Sequence, residues 1–328
     1  MDDTEYGERD SKLVTDYRRL ITEVSLAEQE KLDRVVQWVG VSEVARHRFT
    51  RMFPHYDKAL YVYESGPDQI CINSVREINS DGHSDLALSV ARNGLSSDKS
   101  LIFKRTPHAR MEWLMAQMYK VLDLDTYRVM PVEGIDKEHG TFWQFIQTDM
   151  RRTELGFDLP EYKRVPVIKS AYAVLEKIEG LMIRDQWSYI KGLDREAFLY
   201  LVERIGRLAA AEFVLGGIDL SSENVMMTKT PLRVYRIDRE QHLYAFYRSL
   251  GRVDLNLLNT GWEDKEQTDC YMTGVNEQTG VIERNIDNLA HLVEVGSEIG
   301  VTSYYGKVEP IVVRQMKSQL EALKTETG

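Results

Sequence analysis

The stretch from Leu215 to Glu240, LGGIDLSSENVMMTKTPLRVYRIDRE, restricts what this chain can fold into more than any other. Upstream, Asp194 stands where it can cap a long helix. Phe198, Val202, Ile205, Ala209 and Phe213 recur along that helix at helical spacing. The helix feeds into Gly216-Gly217. Two short apolar strands follow, Asn224 to Met227 and Leu232 to Ile237, joined by a turn at Thr228-Lys229-Thr230-Pro231. The second strand ends on Asp238. A hairpin of this kind gathers three polar groups: Asp219, a candidate base, and Asn224 and Asp238, two oxygen ligands suited to a hard cation. Moving a phosphoryl group from a nucleotide needs groups of these types.

The spacing D-x-x-x-x-N carries little information alone, because it occurs at Asp68–Asn73, Asp219–Asn224 and Asp254–Asn259. Context separates the three. Only Asp219 has a long helix before it, an apolar hairpin after it and an aspartate closing the second strand.

Upstream of the hairpin the chain reads first as strands. ALYVY (59–63), QICIN (69–73), DLALSVAR (85–92), SLIFK ending on Lys104, YRVMPV (127–132) and TFWQFIQ (141–147) predict an antiparallel sheet. Asn93 to Asp98 forms a loop of small polar residues. Thr106-Pro107 starts a helix with Met111, Leu114, Met115 and Met118 on one face and Glu112 in its opening turns. Ser25 is placed to cap a helix carrying Leu32, Val35, Val36 and Val39. Further helices are predicted from Val165 to about Arg184, from Arg284 to Ile299 and from Val308 to Leu323, while 239–283 shows no strong period. The expected fold class is α+β. The expected parts are an N-terminal helical extension (1–50), a small lobe (51–148) and a helical large lobe with the hairpin (149–328).

Charge and cysteine content exclude several classes. With a formal net charge of −10 the chain is a poor candidate for nucleic acid or an anionic membrane. Cys71 and Cys270 are far apart in sequence and not in a C-x-x-C, so they neither demand a disulfide nor make a metal knuckle, which fits a reducing compartment. The acidic, polar N-terminus is unlike a signal peptide, and no apolar run approaches the ~18 residues of a membrane span. A cytoplasmic location is expected, with delivery by specialised secretion also compatible. Nucleophile-elbow, zinc-protease, Walker A and dinucleotide-binding motifs are absent.

The order of motifs resembles the protein-kinase-like superfamily in its atypical branches. DLSSEN (219–224) is similar to the catalytic loop of protein kinases. GGIDLSSENVMM is similar to the corresponding segment of phosphatidylinositol 3- and 4-kinases and of actin-fragmin-type kinases, and the atypical branches that the chain distantly resembles include the HipA-type kinases. VYRID (234–238) resembles the strand bearing the metal-binding aspartate, and LIFK (101–104) the strand bearing the nucleotide-binding lysine. The resemblance spans roughly residues 85–240 and implies a two-lobed fold with ATP and Mg2+ as cofactors. Lys104 would hold the α- and β-phosphates, and Glu112 would orient it. Asn93, Ser96 and Ser97 would line the phosphate loop, and the segment with Gln144 and Ile146 would face the adenine. Asn224 and Asp238 would ligate the metal, and Asp219 would act on the acceptor hydroxyl. The implied acceptor is a protein. A small-molecule or lipid kinase, a nucleotide-binding pseudokinase scaffold and a nucleotide-transfer enzyme are the alternatives on this fold, and a plain helical interaction protein is the alternative off it.

The departures are specific. Gly217-Ile218 stands where most protein kinases carry His-Arg, Ser221 replaces a lysine, and Arg239-Glu240 follows Asp238 in place of Phe-Gly. Taken singly, each residue also has an ordinary reading. Lys104 would be a solvated edge charge, Glu112 a carboxylate favoured by the helix dipole, and Asp219 a turn residue. Asp238-Arg239-Glu240 would be a surface charge cluster, and Asn93-Gly94 a hairpin turn.

Overall fold

The computed structural model describes Leu13 and residues 36–63, 69–80, 83–92, 95–133, 140–143, 157–158, 164–167, 171–186, 189–190, 192–217, 220–244, 246–247, 249–250, 265–303 and 306–327. The class is α+β. The chain forms two compact units. One comprises Met1–Trp113, Tyr127–Thr141 and Pro166–Lys177, and the other Leu114–Thr126, Phe142–Val165 and Ile178–Gly328.

The first unit is built on a six-stranded sheet. In chain order it contains β1 (Val36–Trp38), helices α1 (Glu43–Met52) and α2 (Tyr56–Tyr63), β2 (Ile70–Ser80), β3 (His83–Arg92), β4 (Leu95–Arg105) and the start of α3 (Ala109–Val121). β5 (Val129–Glu133) and β9 (Ala171–Glu176) complete it; between them the chain forms β6 (Gly140–Trp143), β7 (Phe157–Asp158), which belongs to the second unit, and β8 (Arg164–Val167). The strand order is β1-β2-β3-β4-β9-β5, with β1 parallel to β2 and the other pairs antiparallel. Ser42 caps α1 by accepting from the Ala45 N–H at 3.3 Å. The core is aromatic. The Phe103 ring of β4 lies 5.0 Å from Phe49 and 5.3 Å from Phe53, and Tyr172 of β9 lies 5.1 Å from Phe53. Edge-to-face packing of this kind adds to the area term for burying such rings.

Three expectations change here. Residues 59–63 are helical, not extended: Ala59, Leu60 and Tyr63 are buried at i, i+1 and i+4, one face of α2 against the sheet. Val36 belongs to a strand rather than to a helix. The helix predicted over 165–184 is replaced by β8, β9, β10 (Leu181–Met182) and a short 3-10 turn at Ile183–Gln186. Tyr172, Ala173, Val174 and Leu175 are all buried because β9 is an internal strand, flanked by β4 and β5. A continuous apolar run of that kind has no period of two, and so reads as a helix.

The second unit is organised by α4 (Arg195–Leu215). Asp194 caps it, accepting from the Ala197 N–H at 2.8 Å. A hairpin follows, β11 (Val225–Lys229) and β12 (Leu232–Arg236), with Val225 opposite Arg236 and Met227 opposite Val234; β10 pairs on its outer side. Next come β13 (Phe246–Tyr247), which pairs with β7, then α5 (Lys265–Glu298) and α6 (Ile311–Thr327). α5 begins well before the expected Arg284. Gly274 and Gly280 break the apolar period that would have revealed its first half. Gly274 is there for packing. A Cβ on it would lie 2.0 Å from the Glu203 carbonyl oxygen, and one on Gly206 would lie 2.2 Å from that of Tyr271, so α4 and α5 touch backbone to backbone. No helix among the described residues is long and apolar enough to cross a membrane.

Candidate functional site

In the first unit, β4 delivers Lys104 and α3 delivers Glu112. Thr106 helps set the start of α3 by accepting from the His108 N–H through its hydroxyl at 2.9 Å. Lys104 Nζ donates to Glu112 Oε1 at 3.3 Å, and the Tyr127 hydroxyl donates to Oε2 at 3.1 Å. The Glu112 side chain is wholly buried and that of Lys104 is 18% exposed. Lys104 is in register with Ala173 of β9 on an internal strand, so it is not an edge charge. Glu112 is likewise more than a dipole-favoured surface acid, because a buried carboxylate requires partners.

In the second unit, the hairpin holds Asn224 and Asp238 at its open end. The Ile237 N–H donates to the Asn224 carbonyl at 2.9 Å, and the Asn224 N–H donates to the Ser221 carbonyl at 3.0 Å. Both candidate ligands are half-buried. Asp238 has φ +56°, the left-handed region that Asn and Asp tolerate best after glycine. Glu240 is half-buried as well, and carboxylate oxygens of Asp238 and Glu240 lie within 4.8 Å of one another. Two acids this close disfavour each other unless a cation lies nearby.

Behind the hairpin lies a buried polar cluster. Glu212, in the last turn of α4, is fully buried, as are Tyr119, Arg236, Arg239 and His242. Its carboxylate accepts from the Tyr119 hydroxyl. It faces His242 Nε2 at 3.0 Å and Arg236 Nε at 3.5 Å. His242 Nδ1 donates to the Arg239 carbonyl at 3.1 Å, so both ring nitrogens face acceptors. Arg239 Nε donates to the Arg236 carbonyl at 3.0 Å, and its guanidinium carbon stands 4.6 Å from the centre of the Tyr119 ring. A carboxylate at a helix C-terminus opposes the dipole, and the facing cations offset this. Burial pushes the Glu212 carboxyl up, but His242, Arg236 and the Tyr119 hydroxyl outweigh it and hold the pKa at about 2. Burial and the Glu212 charge push the Tyr119 phenol well above its ordinary value, against the lowering effect of Arg239 and Arg236.

Of the residues singled out in the sequence, the structure brings Lys104 to Glu112 and Asn224 to the residue preceding Asp238. Ser96 and Ser97 lie within strand β4 rather than in a loop. Asp219, Asn93, Gln144 and Ile146 lie outside the described residues. The sequence reading missed Tyr119, Glu212, Arg236, His242 and the buried placement of Arg239. One signal was present: Glu212 is a lone acid in the apolar run AAAEFVLGG, and Arg236, Arg239 and His242 recur at intervals of three. No family model matches the chain, and a search of curated proteins finds no match.

Proposed function

We propose that the chain is an atypical kinase of the two-lobed, protein-kinase-like type, transferring the γ-phosphoryl group of ATP to a hydroxyl of a protein substrate. The observation that carries the reading is the hairpin end. It presents Asn224 and Asp238 from facing strand termini, with the Glu240 carboxylate alongside. An amide oxygen and carboxylates are hard donors. Mg2+ takes one or two protein carboxylates and completes its shell with phosphates and water, so the donor set fits. When bound, the ion would supply charge neutralisation on the phosphates. The Lys104–Glu112 pair supports the reading independently, since an ammonium held at 3.3 Å by a buried carboxylate is fixed in position to meet phosphate oxygens. Asp219 is assigned as the group that orients the acceptor hydroxyl.

The test is labelled ATP with Mg2+, offered first with protein fractions and then with small hydroxyl compounds and lipid vesicles. Label on protein that disappears in Asp238→Ala is the expected result. Transfer to small compounds or lipids instead would reassign the acceptor. Mg2+-dependent ATP binding without transfer would make the chain a scaffold. Absence of Mg2+-dependent ATP binding would sink the reading.

A further inference from the structure

The Arg236 guanidinium joins the buried cluster to the hairpin end. Strand alternation places Arg236 on the same inner face as Val234, where it is fully buried. Its Nε faces Glu212 at 3.5 Å. Its Nη1 donates to the Asn224 carbonyl at 3.2 Å and also to the Ile237 carbonyl. The Asn224 carbonyl therefore accepts from both Arg236 Nη1 and the Ile237 N–H. The Ile237 carbonyl belongs to the peptide that leads into Asp238, which holds a positive φ. Next, Arg239 Nε returns to the Arg236 carbonyl, His242 Nδ1 to the Arg239 carbonyl, and the Leu243 N–H to the Leu215 carbonyl at the end of α4. The segment around Asp238 is thus pinned on both sides to the last turn of α4, with Glu212 as the common anchor.

We infer that Glu212, with Tyr119 and His242 bracing it, is a positioning residue for the Asn224–Asp238 pair and acts through Arg236. The inference rests on the reading of that pair as metal ligands. Partners one shell out from a metal ligand typically change affinity 10–100-fold when removed. A plain core role would cost stability and leave metal affinity alone.

The experiment measures nucleotide binding by calorimetry, with Mn2+ titrated as the metal and EDTA as the metal-free arm. Glu212→Gln keeps the shape and loses the charge, whereas Tyr119→Phe removes a single donor. Asp125→Asn is the structural control. It is a largely buried carboxylate of the same unit that accepts from the Val234 N–H at 3.1 Å and from Arg204 at 2.7 Å. The expected result is a Mn2+ half-saturation raised at least ~10-fold in Glu212→Gln and by a smaller factor in Tyr119→Phe, with binding in EDTA unchanged. Asp125→Asn should lower the melting temperature without moving the Mn2+ constant. If Glu212→Gln does not fold, Tyr119→Phe decides by the same measurement. An unshifted Mn2+ constant in the folded variants overturns the inference and leaves the kinase reading standing. A wild type whose nucleotide binding ignores Mn2+ overturns both.

Discussion

His242 Nε2 lies 3.0 Å from a Glu212 carboxylate oxygen, and both side chains are fully buried. Burial acts to raise the Glu212 pKa, yet the cluster lowers it from 4.5 to about 2. The folded value lies below the unfolded one. The resulting stability is therefore complete above the unfolded value and is lost as pH falls toward the folded one. The size is on the order of 3 kcal/mol for a shift of this extent. Urea midpoints for wild type should fall steeply between about pH 5 and about pH 2. Glu212→Gln should be less stable near neutrality and show a shallower fall. Parallel curves would refute this.

The partner of that carboxylate makes the opposite prediction at high pH. The Tyr119 phenol is raised well above 10.0, first by burial and then by the Glu212 charge. A raised pKa means the fold holds the neutral form. Its contribution is complete below the unfolded value and is lost as pH climbs past it. Wild type should weaken in strong alkali more than Tyr119→Phe does. In an ultraviolet titration of phenolate, Tyr119→Phe should show one fewer tyrosine ionising only on unfolding than wild type, where burial also raises Tyr172.

At Lys104 and Glu112 the stability of the ion pair can be separated from the proposed nucleotide binding. Lys104→Met removes an ion partner from a wholly buried carboxylate, while its own side chain is 18% exposed. The expected cost is about 2 kcal/mol, below the ~3–5 kcal/mol for a fully buried pair. Lys104→Met combined with Glu112→Gln should recover part of that loss, because the unpaired charge is gone. Neither variant should bind ATP with wild-type affinity; a fall of at least ~10-fold is expected from the loss of a charge-assisted contact to phosphate. Full affinity in Lys104→Met would remove Lys104 from the site.

Gly217 packs directly against the buried cluster. A Cβ there would fall 1.9 Å from Glu212 Oε2 and 2.8 Å from His242 Nε2. Those atoms are buried and mutually bonded, so they have nowhere to move. Gly217→Ala should cost about 2–4 kcal/mol. Gly216→Ala, at the left-handed cap with φ 65°, should cost only about 1 kcal/mol. Thermal melts of the two variants order them, and equal losses would refute the packing explanation.

What could be read in the sequence, and what could not, follows from the reach of each signal. The Asp194 cap, the α4 period and the β11–β12 hairpin are local patterns, and they appear where expected. The first half of α5 was hidden because Gly274 serves a contact with α4, a packing need invisible to periodicity. β9 was hidden because an internal strand is apolar on both faces. Glu212 was hidden for another reason. Its partners, Arg236 and His242, lie more than twenty residues away, and nothing local shows that their charges turn inward. By contrast, the Lys104–Glu112 pair was legible because both residues flank a single strand-to-helix turn.

Asp238 tests whether its backbone and its carboxylate have separate roles. Its φ of +56° costs an ordinary residue of order 1 kcal/mol, and Asn tolerates it about as well as Asp. Asp238→Asn should therefore leave the melting temperature nearly unchanged, within about 0.5 kcal/mol. Asp238→Gly should match or slightly exceed wild type, since glycine adopts positive φ freely. Both substitutions remove a negative oxygen beside Glu240, the ligand atom of the proposed metal site. Mg2+-dependent ATP binding should weaken strongly in both, and transfer should fall by roughly 10²–10³ or more. Asp238→Ala keeps neither property and should lose stability as well as binding. If Asp238→Asn binds Mg2+ and ATP as wild type does, the aspartate is only a turn residue, and the conformational strain at this position serves the fold alone.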